Sequence, residues 1–475
     1  MIFSAAITSR LHADAEAHLV RSDGQEDLCF ALWHQSQGRG RKSALIHTLI
    51  LPHKGERFVH GNVSFTAEYF ERALGVTLRM GSGLALIHSH LGPGWQSMSG
   101  DDILAEQKHA AATKGATGLP LVGMTMGTDG AVSARFWEKV APKTYDRCWC
   151  HTVRVAGERL RITYCDGLVP APKFRKELKR TISAWGNTEQ NHLARLVVGV
   201  VGVGSVGSLV AENLARMGIK HIRLLDFDRI ERVNLGCLLH AHSADAAKKR
   251  SKVLALAKAL KRSATARPFL VDALELSVVE ENGFREALDC DVLFSCVDRP
   301  WPRFVLNYIA YTHLIPVIDG GVSARAKRDG TGLLRANWRA HVAAPGRRCL
   351  ECLGQYDPGL VNVERDGYLD DPSYIQGLPG NHVLKRSENV FAFSMAAASA
   401  EVLQFLRMVV RSPGLPNVGA ELHDFVTGTS SNDERCCEPA CLLPALTAKG
   451  DSSGIKVTGT HARQDSQKHN VPSVS

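Results

Sequence analysis

The sequence has little that would carry a chain into or across a membrane. The opening Met1-Ile-Phe-Ser-Ala-Ala-Ile-Thr lacks the basic start of a secretory signal. The longest apolar candidates also fail as membrane spans. Residues 196–210 carry four glycines and two serines, and residues 391–410 include Glu401, Gln404 and Arg407. These absences lead us to expect a cytoplasmic protein that makes no membrane contact. Cysteine is scarce too: twelve in 475 residues are too few for a disulfide framework, so clustered cysteines point to metal or catalysis. Excess charge is small, at +9. The basic residues are dispersed, with minor clusters at 173–180 and 248–250, and read as a solvated face rather than a nucleic-acid surface. There is no internal repeat. With 44% hydrophobic and 22% charged residues, this length suggests two or three globular domains with ample core.

Two stretches carry chemistry. The first runs from His88-Ser-His90 through a Gly92-Pro-Gly94 turn to Ser99-Gly-Asp-Asp102. The apolar run Leu84-Ala-Leu-Ile before it reads as a buried strand, on which residues i and i+2 share a face. From Asp102 a helical pattern begins, which puts the carboxylate near a helix N-terminus, where Ser99 can cap the helix or donate to an oxyanion. Two imidazoles and a carboxylate form a three-ligand set for Zn²⁺, leaving an open fourth position of the kind hydrolytic sites use.

These residues resemble the motif of the JAMM (JAB/MPN) metalloproteases. The gap between His90 and Ser99 is one residue longer than usual, and the extra residue falls in the Gly/Pro loop. The resemblance implies that His88, His90 and Asp102 ligate a catalytic zinc, that Ser99 stabilises an oxyanion, and that an upstream Glu activates the water. Glu26, which opens Glu26-Asp-Leu-Cys-Phe-Ala-Leu-Trp33, is the best-placed candidate; Glu56, Glu68 and Glu71 lie in a turn or on a helix.

The second stretch is a buried strand, 196–201, then Gly202-Val-Gly204-Ser-Val-Gly207, a helical run from Ser208 to Met217, and a strand 221–226 ending in Asp226. This strand, glycine loop, helix, strand and acid order predicts nucleotide binding. The glycines let backbone N–H groups approach phosphate, the helix N-terminus favours the anion, and Asp226 accepts from ribose hydroxyls. Nothing in the chain offers a hydride-transfer site.

The continuation Asp226-Phe-Asp228 to Asn234-Leu235 resembles the ThiF, MoeB and ubiquitin-activating enzymes over about 180–430. That resemblance implies ATP and Mg²⁺, with Asp226, Asp228 and Asn234 around the nucleotide, Lys252 on the phosphates and Asp298 on the metal. Arg303 would act in catalysis, and Arg180 would reach into the partner's site of a homodimer. One position departs from the pattern: Cys237 stands where the family has an ATP-contacting arginine, so Arg232 or another cation would have to substitute.

Cys349-Leu-Glu-Cys352 and Cys436-Cys437-Glu-Pro-Ala-Cys441 resemble the two pairs that hold a structural zinc in this family. Cys349, Cys352, Cys437 and Cys441 are the expected set, with Cys436 as the alternative to Cys437. Relatives often carry a thioester-forming cysteine between the pairs, but residues 354–389 contain none.

The expected architecture is α/β throughout. It comprises a JAMM-like domain over 1–155, a linker over 156–180, a Rossmann-like ThiF adenylation domain over 181–445 and a disordered tail over 446–475. The expected function is a fused processing and activating enzyme for a ubiquitin-like protein. It would combine zinc-dependent (iso)peptide hydrolysis at that protein's C-terminus with ATP-dependent adenylation of it, ahead of a conjugating enzyme. The alternatives are a scaffold with a degraded adenylation site and sulfur-carrier activation for cofactor synthesis.

Overall fold

In the first part of the chain, strands without polar breaks build a sheet buried on both faces. The computed structural model describes residues 1–60, 62–173, 176–327, 329, 331–377, 389–410 and 417–461. They divide into two units. The first is 1–171 with two short returns, Tyr311–Leu314 and Pro444–Gly454; the second holds the rest.

The strands of the first unit are β1 (Ile2–Thr8), β2 (Leu28–Gln37), β3 (Arg41–Ile50), β4 (Arg57–His60), β5 (Asn62–Phe65), β6 (Gly83–Ser89), β7 (Leu121–Met126), β8 (Val132–Ala141), β9 (Thr144–Trp149), β10 (Thr152–Ala156) and β11 (Leu160–Tyr164). Nine of them form one mixed sheet in the order β11-β10-β1-β3-β2-β6-β7-β8-β9, and β4 pairs with β5. Along β2, Cys29, Ala31 and Trp33 enter one core while Leu28, Phe30 and Leu32 enter the other. Strand side chains alternate between faces, so a run apolar at every position must be covered on both sides. Helices α1 (Ser9–Leu19), α2 (Ala67–Met80) and α3 (Gly100–Thr117) belong to this unit. On β6, His88 shares the face of Leu84 and Leu86, the one that packs with Tyr69 and Phe70 of α2 and Ala110 of α3.

Two sequence expectations change here. The stretch taken as linker begins with β11, which pairs antiparallel with β10 from Thr152↔Tyr164 to Ala156↔Leu160. Leu160, Ile162 and Tyr164 are buried between half-exposed Arg161 and Thr163. This period-2 pattern was masked by the basic and Pro-rich residues that follow. Strands β9 and β10 were likewise not anticipated after β8. The expected tail is also packed from 446 to 461. The Ala448 carbonyl accepts from His34 Nδ1 at 3.2 Å, and Asp451 Oδ2 accepts from Gln37 N at 2.8 Å. A polar segment is held when its backbone finds partners on neighbouring strands, which composition does not reveal. Residues 462–475 lie outside the described residues.

The second unit has β12 (Val197–Val201), β13 (His221–Leu225), β14 (Leu270–Leu274), β15 (Val292–Ser295), β16 (Val317–Ala326), β17 (Leu333–Ala343), β18 (Ala420–Asp424) and β19 (Thr429–Asp433). Their order is β14-β13-β12-β15-β16-β17-β18-β19, parallel as far as β16 and antiparallel beyond it. The direction of strand succession reverses between β12 and β15. In such sheets the crevice beyond the strand ends at that point is where ligands bind. Helices α4 (Lys179–Arg195, interrupted at Gly186) and α5 (Ser205–Arg216) flank β12 in sequence.

One buried ion pair anchors α3 to its sheet. Glu106 and Arg135 are 1% and 0% exposed, and Trp137 Nε1 donates to Glu106 Oε2 at 2.6 Å. Glu106→Ala would strand the Arg135 guanidinium in the core. We expect a loss of about 3–5 kcal/mol in the first unit, read as faster amide hydrogen exchange across 100–117. Unchanged protection there would contradict the anchoring role.

Candidate functional sites

The first site forms where β6 ends. His88 belongs to β6, and His90 N is held by Met126 O at 2.9 Å. Asp102 arrives on the first turn of α3, whose N-cap is Ser99. Asp102 N donates to Ser99 Oγ at 3.1 Å and Ser99 N donates to Asp102 Oδ2 at 2.7 Å. This reciprocal box fixes the carboxylate. The Ser99 oxygen accepts in the cap, and its hydroxyl proton is not used there.

The donor atoms converge. His88 Nε2 lies 3.2 Å from His90 Nε2 and 3.3 Å from Asp102 Oδ1, and His90 Nε2 lies 3.2 Å from Asp102 Oδ2. Two nitrogens at about 2.0–2.1 Å from a tetrahedral zinc stand about 3.3–3.4 Å apart, so the set fits that ion. Burial alone would raise the Asp102 carboxyl, but hydrogen bonds from His88 and His90 outweigh it and hold it well below the carboxylate range. His90 is raised chiefly by its bond to Asp102, with Glu26 adding to it. Behind His88, Thr125 Oγ1 is 3.4 Å from Nε2 and itself accepts from Arg135.

Glu26 is half-exposed, two residues before Leu28, which the β2–β6 pairing sets opposite His88. Ser89 N donates to Asp27 O at 2.9 Å and Asp27 N donates to Ser89 Oγ at 2.9 Å, which extends the pairing toward Glu26 and His90. Asp27 is buried against Arg21 and Arg57, so the backbone beside Glu26 is firmly tied.

The second site is a cavity of about 870 Å³ in the second unit. Gly202, Gly204, Asp226, Asp228, Asn234, Lys252, Asp298 and Arg303 all line it. Gly207 does not, but it shapes the loop: a Cβ there would stand 1.9 Å from the Gly202 carbonyl oxygen, while Gly202 itself has φ +83°. The Asp226 carboxylate is aimed by two backbone donors, Val203 N and Asp228 N, each at 2.8 Å. Lys252 Nζ sits 2.8 Å from Asp228 Oδ2. Burial would lower Lys252, but Asp226 and Asp228 outweigh that and hold it above its ordinary value. Asn234 lines the wall while its Oδ1 accepts from Glu231 N, and Cys237 stands beside it.

Of the two expected arginines, Arg303 lines the cavity and Arg180 does not. The Arg303 guanidinium donates to Asp319 Oδ1 at 2.8 Å, to the Val297 carbonyl and to the Gln355 carbonyl at the cavity wall. Arg180 is exposed on the first turn of α4 and does not line the cavity. Arg232 is also exposed and absent from the lining, which instead gains Arg299, Arg339, Glu364, Phe227 and His461. Phe227 lies inside the quoted Asp-Phe-Asp run. For the others, sequence spacing carried no signal.

Cys349, Cys352, Cys437 and Cys441 gather with all four sulfurs within 4.8 Å of one another, and Cys436 is exposed outside the set. The Cys349 and Cys441 sulfurs are 3.7 Å apart. Tetrahedral zinc with Zn–S of about 2.3 Å sets sulfurs about 3.8 Å apart. The donors therefore suit a closed structural zinc. No helix among the described residues is long and apolar enough to cross a membrane. The part of the cysteine-free segment at 378–388 lies outside the described residues.

Two curated proteins and one solved structure are similar to parts of this chain. A segment of 149 residues is 31% identical to ubiquitin-like modifier-activating enzyme 5 of Aedes aegypti, covering 29% of this chain and 37% of that protein. Another, of 202 residues, is 28% identical to the adenylyltransferase and sulfurtransferase UBA4 of Yarrowia lipolytica, covering 41% and 47%. The chain thus spans between a third and a half of the length of the curated relatives it matches. Among solved structures, E. coli MccB with ATP is similar at a TM-score of 0.43 and 17% identity, over 57% of this chain and 75% of that one. The model of the ThiF family matches residues 178–420, just over half of the sequence. The chain belongs to the ThiF family.

Proposed function

We propose that the second unit adenylates the C-terminal carboxylate of a ubiquitin-like protein or similar carrier peptide. The observation that carries this reading is the cavity in which the glycine loop, Asp226, Lys252 and Asp298 meet. Loop N–H groups and Lys252 would hold the phosphates, Asp226 would accept from the ribose, and Asp298 would hold Mg²⁺, which supplies charge neutralisation to the phosphates. The substrate carboxylate attacks the α-phosphorus. The bond to the β-phosphate oxygen breaks, and acyl-adenylate and pyrophosphate form. Asp228, Asn234 and Arg303 keep this wall in place. In a homodimer, Arg180 would serve the partner's cavity.

We further propose that the first unit is a JAMM-type zinc peptidase that cleaves a peptide or isopeptide bond after the same C-terminus. The N, N, O triangle of His88, His90 and Asp102, at zinc-like spacing, supports it. Zinc there would polarise a water and the scissile carbonyl. Glu26 takes the water's proton and passes it to the leaving amine, and the Ser99 hydroxyl donates to the developing oxyanion. Cleavage produces the carboxylate that adenylation consumes, which supports one chain carrying both. A conjugating enzyme or a sulfur-transfer step would take the activated product. A scaffold with a degraded adenylation site is the second reading, favoured by Cys237 in the family's arginine position.

ATP–pyrophosphate exchange separates the two. A small ubiquitin-like protein ending in Gly-Gly should stimulate exchange, and Lys252→Ala should slow it roughly 10- to 150-fold through the lost charge-assisted bond. No exchange with any such protein would leave the scaffold reading standing. Metal analysis addresses the zinc sites. The wild type is expected to hold two zinc ions per chain. His88→Ala with His90→Ala should lose one, Cys437→Ser the other, and Cys436→Ser neither. Retention of both by the double histidine variant would remove the peptidase proposal.

A further inference from the structure

The cavity has one wall that the family match does not include. Residues 455–461 follow the matched region and pack in the second unit. Trp301 Nε1 donates to Val457 O at 3.0 Å, and Gly459 N donates to Val279 O at 2.8 Å. Thr458 Oγ1 donates to Glu281 Oε2 at 3.1 Å, and His461 N donates to Glu280 Oε1 at 3.3 Å. The segment therefore runs along the chain that follows β14. It ends with the His461 ring 4.6 Å from the Phe227 ring, centroid to centroid, at 55°. Val457 and His461 are 3% and 5% exposed, so this is a packed contact.

Topology says what that wall faces. The glycine loop follows β12 and takes phosphate. Asp226 follows β13, the next strand, and takes ribose. A nucleotide laid in that direction brings its base past the end of β14, where Leu276, Ser277 and Val278 line the cavity together with Phe227 and His461. We propose that His461, carried by the 455–461 segment and set against Phe227, completes the nucleobase pocket and supplies an aromatic face for the purine. This rests on the adenylation reading for the presence of a nucleotide. It adds that recognition of the base depends on a C-terminal segment beyond the matched domain.

The test is equilibrium binding to the full chain, by calorimetry with Mg²⁺, of ATP and of inorganic tripolyphosphate, which has no base. His461→Ala should weaken ATP about 5- to 150-fold, the range of base stacking on an aromatic face, and change tripolyphosphate less than about 2-fold. His461→Phe keeps a ring and should bind ATP within about 3-fold of wild type. Unchanged or tighter ATP binding by His461→Ala, or equal weakening of both ligands, would overturn the proposal. If His461→Ala fails to fold, His461→Phe decides: a loss as large as that range overturns the wall. Wild-type protein that binds tripolyphosphate but not ATP overturns the base pocket alone. Binding of neither ligand overturns the adenylation reading, and the pocket with it.

Discussion

Asp319 is the buried carboxylate that braces the wall of the second unit's cavity, through Arg303 and Arg339, which line it. It is fully buried and accepts from Arg303 Nε at 2.8 Å, Arg339 Nη1 at 2.6 Å and Ser295 Oγ at 2.7 Å. Burial would raise its carboxyl, but the two guanidinium groups outweigh that and keep it below the usual range. A lone carboxylate in such a place would neutralise itself or pull water inward. Paired on both sides, it ties β15, β16 and β17 to the helix that carries Arg303. Beside it, burial and the Asp319 charge push Glu401 well up, and Cys296 Sγ donates to it at 3.4 Å. The clamp commits two of the arginines that line the cavity, Arg303 and Arg339, to the same buried carboxylate.

Both sites use the same local construction. A strand ends, a Gly-containing loop turns, and a helix begins with its N-terminus toward the ligand position. In the second unit the helix end and glycine loop are suited to an anion. In the first unit Asp102 takes that place. It caps α3 through Ser99 and presents its oxygens to two imidazoles. The capping box ties the Asp102 carboxylate to Ser99. The geometry of Asp102 is set by its own helix, not by the length of chain since His90.

The sequence disclosed what local spacing encodes. His88 and His90 share a strand face, Asp102 opens a helix, Gly202 to Gly207 make a phosphate-type turn, and Asp226 ends the next strand. Each is a statement about neighbours within a few residues. What it did not disclose depends on distant partners. Arg303 meets Asp319 sixteen residues away, and Arg339 comes from an antiparallel strand beyond it. His461 comes from a segment whose polar composition read as disorder. The choice between Cys436 and Cys437 was also beyond spacing, since adjacent residues in an irregular stretch face different ways. Only the packing of Cys437 beside the Cys349 backbone resolves it.

The charge balance of the cavity gives meaning to Cys237. Four cations line it, Lys252, Arg299, Arg303 and Arg339, along with four acids, Asp226, Asp228, Asp298 and Glu364. Each cation already has a carboxylate partner: Asp228, Asp370, Asp319 and Asp319 in turn. Burial pushes Glu364 up to about 7 and raises Asp226, which only partly relieves the negative charge. Among the residues that line this space, side chains offer little uncommitted positive charge, and Cys237 adds none. Under the proposed reaction, Lys252 would exchange Asp228 for the phosphates, and the remaining attraction would come from backbone N–H groups of the glycine loop and from a divalent ion held by Asp298. Under the proposed reaction, this makes Asp298 more consequential here than in a cavity with a spare arginine, because the ion it holds becomes the main counter-charge to the phosphates.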